Sequence, residues 1–93
     1  MLFRKEILEK IATGEIKIAI RKWKRPTVKK GGTLVTKVGV LRIDSVDKIL
    51  VNDLKNDILE KAGYHSKKEL TDYIAKKKVG DLYKIEFHLY LAF

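Results

Sequence analysis

Six cations crowd one short stretch of this chain: Arg21, Lys22, Lys24, Arg25, Lys29 and Lys30. Trp23 is set among them, and Pro26 breaks their regularity. Dense positive charge around an aromatic ring suits a ligand that is both anionic and flat, a nucleotide or a nucleic acid. The cations take phosphates, and an indole that stacks a base contributes about 1–3 kcal/mol. The competing reading is a solvated basic face with a lone tryptophan plugging the core.

The other reactive residue types are sparse. His65 and His88 are the only histidines, there is no cysteine, and neither histidine has a partner at metal-ligand spacing. No metal or other cofactor is implied. Ser45 and Ser66 suit turn or cap roles better than a nucleophile triad. Lys84 and Glu86 alternate with the apolar side of the last strand, so Glu86 is placed to pair across a sheet, with Arg21 or Lys17 as candidates. Gly31-Gly32 lacks either phosphate-cradling fingerprint, which argues against nucleotide hydrolysis by that route.

Composition sets the bounds. In 93 residues there are 21 Lys and Arg against 12 acids, a formal charge of +9. That balance favours an anionic partner, nucleic acid before an acidic protein or a membrane surface. The length suits one domain with a modest core. No stretch approaches the ~20 apolar residues of a membrane span, and charges run through the opening MLFRKEILEKIA, unlike a signal peptide. Absence of cysteine fits an intracellular, cytoplasmic protein.

What must position the basic stretch is the segment before it. Ile16, Ile18 and Ile20 alternate with Lys17, Ala19 and Arg21, which predicts a half-buried strand over about 16–22. A helix over 3–12 precedes it, with Phe3, Ile7, Leu8 and Ile11 on one stripe and Gly14 as its left-handed cap. Residues 24–32 read as a loop. Residues 33–43 read as strand, with Gly39 at a bulge or tight bend, and 45–51 as a further strand. Asn52 or Asp53 caps a helix ending near Ala62. Ser66-Lys67-Lys68-Glu69 has capping-box spacing and opens a third helix over 67–77, with Lys76, Lys77 and Lys78 at its C-terminal end. A final strand over 82–91 puts Tyr83, Ile85, Phe87, Leu89 and Leu91 on one face. The apolar residues up to Phe93 leave an edge that could pair with another copy.

Taken in order, these pieces resemble the ASCH domain, the activating signal cointegrator 1 homology region, which has a PUA-like β-barrel. The resemblance covers essentially the whole chain. It is carried by Gly14 followed seven residues on by Arg21, the G-x-x-S-x-x-E-L stretch over Gly63–Leu70, and the closing run Leu82–Phe87, LYKIEF. It implies RNA binding in a cleft beside the first strand, where the family signature is G-x-K-x-x-[ET]-x-R. Some small bacterial members deacetylate N4-acetylcytidine with that Lys, a Thr at the sixth position and a Glu near the second helix pair. Here Gly14 and Arg21 match, but the Lys position is Ile16 and the Thr or Glu position is Ala19. Lys17 is one residue away, on the opposite face of a regular strand.

The expectation is therefore an α+β chain: a small PUA-like β-barrel with about three peripheral helices, residues 1–93 as one domain. It is expected to bind RNA through Lys17, Arg21, Lys22, Trp23, Lys24, Arg25, Lys29 and Lys30, with Lys17 and Arg21 on the groove floor. The alternatives are an amidohydrolase acting on a modified nucleoside such as N4-acetylcytidine, and an interaction module for an acidic protein.

Overall fold

A computed structural model describes residues 3–76 and 79–93. The elements run α1 (Lys5–Thr13), β1 (Ile18–Trp23), β2 (Thr33–Thr36), β3 (Gly39–Ile49), a 3-10 turn (Val51–Asp53), α2 (Asn56–Lys61), α3 (Lys67–Lys76) and β4 (Asp81–Ala92). The four strands form one antiparallel sheet in the order β1-β4-β3-β2. The class is α+β, as expected, but the barrel is not closed. β1 and β2 are opposite edges of the sheet and do not pair, so it curls only as far as half a barrel.

Sequence dictates the local pieces. Gly14 ends α1 at φ +83°, its N–H bonding Ile11 O at 3.1 Å while Glu15 N–H reaches Lys10 O at 3.0 Å. That pair of bonds satisfies the last carbonyls of the helix and needs a left-handed residue. Phe3 lies before the helix rather than in it, and its ring meets Phe87 at 5.6 Å. At α3, Ser66 Oγ accepts from Glu69 N–H at 3.3 Å and Glu69 Oε2 accepts from His65 N–H at 2.9 Å, the expected reciprocal cap displaced by one amide. The helix is described to Lys76; the expected Lys77 and Lys78 lie outside the described residues.

Three elements depart from expectation. Residues 45–49 are not a separate strand but the second half of β3, which a register shift between Ile43 and Ser45 carries past Asp44. The bulge adds one residue, so the alternation changes phase and reads in the sequence as a break. Asp53 accepts from Leu50 N–H at 2.9 Å and closes the 3-10 turn, so the second helix begins only at Asn56. On β4 a shift around Tyr90 leaves Leu91 56% exposed, off the face held by Ile85 and Phe87.

Two apolar clusters lie on the two faces of the sheet. Ala19, Leu41, Ile43, Ile85 and Phe87 pack with Ile11 of α1. Ile18, Ile20 and Leu82 pack with Leu54, Leu59 and Leu70 from the second half of the chain. β1 is thus covered on both faces. Ile16 precedes the strand and joins Ala19 and Ile11, not Ile18 and Ile20 as simple alternation demands.

Candidate nucleic-acid interface

β1 is an edge strand, and beside it opens a cleft of about 740 Å³. Ile18 and Ala19 lie at its base. One wall comes from the chain before α1 and the end of β1: Phe3, Arg4, Arg21 and Trp23. The facing wall comes from the α2–α3 junction and α3: Tyr64, Glu69, Asp72, Tyr73 and Lys76. Gly63 closes the bottom. It has φ +86°, and a Cβ there would stand 2.8 Å from Ile16 Cδ1 and 2.9 Å from Ile7 Cδ1. Only glycine lets the junction sit this close to α1.

Arg21 and Trp23 alternate with Ala19, so all three project to the same side of β1. Arg21 lays its guanidinium 5.2 Å from the Phe3 ring centre and donates from Nη1 to Ile20 O at 2.9 Å. Trp23 is half-buried, 6.1 Å from the Tyr83 ring, and borders the cleft as well as the core. The two readings of Trp23 are therefore not exclusive. Burial pushes the Tyr64 phenol above its ordinary value, while the Arg21 charge pulls it down and Tyr73 and Glu69 push it up.

The remaining expected site residues divide. Lys24, Arg25, Lys29 and Lys30 are exposed on the loop between β1 and β2, and among the described residues none is in an ion pair. That loop crosses from one sheet edge to the other. Val28 packs on the Ile85–Phe87 cluster, and the far end is fastened to β3 by Gly31 N–H to Ile43 O at 2.8 Å and Ile43 N–H to Gly32 O at 2.9 Å. Thr27 brings the near half of the loop to the cleft. Lys22 points to the other face because β1 continues through it to Trp23. Its amide donates to the Tyr73 hydroxyl at 3.1 Å and its Nζ to Ile74 O at 3.4 Å, tying β1 to α3. Lys17 is exposed and does not line the cleft, so the floor holds Arg21's neighbours Ile18 and Ala19 instead.

Glu86 does not meet Arg21 or Lys17. It accepts from Ser45 Oγ at 3.1 Å and stands 3.7 Å from Lys84 Nζ. His88 Nδ1 lies 2.9 Å from the Asp44 carboxylate, which the bulge turns toward it. Phe3, Arg4, Tyr64, Glu69, Asp72 and Tyr73 are cleft residues that the sequence did not single out. Tyr64 and Glu69 fall within the Gly63–Leu70 stretch, but the set meets only because the chain before α1 and α3 flank the same strand edge.

No family model matches the sequence, and no curated protein matches it. Two solved structures share the fold. Hypothetical protein PH0355 superposes with a TM-score of 0.71 at 19% identity, over 92% of this chain and 93% of that one. Protein EF3133 from Enterococcus faecalis V583, of family DUF984, does so with a TM-score of 0.68 at 11% identity, over 95% of this chain and 72% of that one. At these identities the likeness speaks to the fold alone.

Proposed function

We propose that this protein is a cytoplasmic, ASCH-like RNA-binding module. In this reading single-stranded RNA lies with its phosphates along the basic loop and a base in the cleft beside β1. The observation that carries it is the set Lys24, Arg25, Lys29 and Lys30: exposed, in no ion pair among the described residues, and on a loop whose near half borders an aromatic-walled cleft. The ASCH-like assignment rests on Gly14 and Arg21 at signature spacing and on the Gly63–Leu70 stretch, whose glycine, serine, glutamate and leucine all have jobs at the cleft or under it.

The reading is of a binding module rather than a deacetylase. Ile16, at the signature lysine position, is 2% exposed within the core, and Ala19 brings no functional group to the cleft. Acyl transfer needs a base or nucleophile within hydrogen-bond reach of its partner. N4-acetylcytidine incubated with the protein is expected to yield no cytidine.

The experiment that tests binding is a salt titration with oligouridine. If ~4–6 phosphates are engaged, the slope of log K against log salt is about −3 to −4. Changing Lys24, Arg25, Lys29 and Lys30 together to Glu should abolish binding with the thermal melt unchanged. A salt-independent affinity, or binding that survives the four changes, would sink the proposal.

A further inference from the structure

We propose that the cleft beside β1 is a guanine pocket. The inference rests on the RNA-binding reading and names the base that the site takes. Its ground is the opposition of charge across the cleft. The wall from the chain before α1 and from β1 carries two guanidiniums, Arg4 and Arg21; the wall from α3 carries two carboxylates, Glu69 and Asp72, with Lys76 a turn beyond Asp72. The carboxylates lie three residues apart and so on one face of the helix. Tyr64, at the α2–α3 junction, lines the same side of the cleft as the carboxylates.

Carboxylates are out of place in a phosphate site, and this chain carries +9 overall. Their position means that the interior receives something that donates hydrogen bonds, while the phosphates stay outside on the loop. An ionised carboxylate only accepts, and a guanidinium only donates. The occupant must therefore offer donors on one edge and acceptors on another. Guanine does so in full. Its N1–H and N2–H are adjacent donors that match both oxygens of a carboxylate, and its O6 and N7 are the pair that a guanidinium takes bidentately. Adenine and cytosine set their amino group beside a ring lone pair, and uracil sets its N–H between two carbonyls, so each turns a lone pair toward the carboxylate. Among the described residues Asp72 has no hydrogen bond or ion pair, and Glu69 uses Oε2 on the His65 amide. Phe3, Trp23 and Tyr64 supply apolar and aromatic surface for the ring. The 740 Å³ volume is that of a pocket for a nucleotide-sized ligand.

The test compares heptauridine with heptamers carrying a central G, A or C. The wild type should bind the G heptamer about tenfold or more tighter than the others. The double variant Glu69→Gln, Asp72→Asn should bind the G heptamer no tighter than the A or C heptamer, with its thermal melt unchanged because glutamine still accepts from the His65 amide. Titration with 5′-GMP against 5′-AMP, followed by the fluorescence of the single tryptophan, reads the pocket without the loop. Equal affinity for the four heptamers overturns the guanine pocket and leaves RNA binding standing. A G preference that persists in the folded double variant overturns it too. If no heptamer binds at low salt, RNA binding falls and takes the pocket with it.

Discussion

Gly63 shows how far one residue sets the cleft. Its φ of +86° is costly for any side chain, and its would-be Cβ meets both Ile7 and Ile16 inside 3.0 Å. Gly63→Ala should cost about 1–3 kcal/mol in urea denaturation and push α3 away from β1; an unchanged midpoint would mean that the junction is not close-packed. Tyr64, the next residue, makes a second test. Its folded pKa lies above the ordinary value, so the proton is held more tightly in the folded state than in the unfolded one. Stability from this group is complete below the unfolded pKa and is lost as pH rises through the folded one. As pH rises past about 10, the wild type should therefore lose more stability than Tyr64→Phe. Parallel losses would show that the phenol is solvated. At this scale the sequence was legible where a residue acts on its own neighbours. Gly14 and Ser66 are caps whose partners lie within a turn. It was not legible where a side chain acts through the fold. Lys22 reads as one of the phosphate-binding cations, yet it shares the strand face of Ile18 and Ile20 and is spent on α3. Asp72 and Tyr73 carry no local signal of a site and line the cleft only because α3 lies beside the edge of β1.

Whole elements follow the same division. α3 is fixed by a local signal, Ser66 and Glu69 trading hydrogen bonds with the amides of Glu69 and His65. Ser66→Ala should cost about 1 kcal/mol, seen as a lowered urea midpoint. Because α3 carries Glu69 and Asp72, the same change should weaken ligand binding more than its stability cost accounts for; equal binding would show that the helix start is held by packing alone. β3 was harder to read. Asp44 and Asp47 both look like stops, but Asp44 is the bulge residue and Asp47 an exposed position opposite Lys84 on a strand that simply continues. A bulge is set by what the partner strand needs, and β4 is far away in sequence. The same holds for the start of α2, where Asp53 has capping chemistry but applies it to a 3-10 turn.

For the molecule as a whole, element order and helix count follow from turn glycines and apolar periodicity, whereas closure of the sheet does not. Whether β1 and β2 pair is decided by distant contacts, and here a loop joins the two edges where a barrel would have hydrogen bonds. The loop's cations thereby stand on the open side of the sheet, within a total charge of +9. A charge of that size acts over a Debye length, about 10 Å at 0.1 M salt, and so reaches an approaching strand before any contact forms. Lys37 in the β2–β3 turn and Lys55 before α2 are exposed, and neither lines the cleft nor belongs to the basic loop. Replacing both by Glu lowers the net charge by four without touching the proposed interface. Association with oligouridine at low salt should slow several-fold and converge on the wild-type rate as salt rises, while dissociation stays the same. Stopped-flow mixing separates the two rates. If dissociation quickens instead, Lys37 or Lys55 contacts the strand, and the RNA runs across the sheet rather than along the loop.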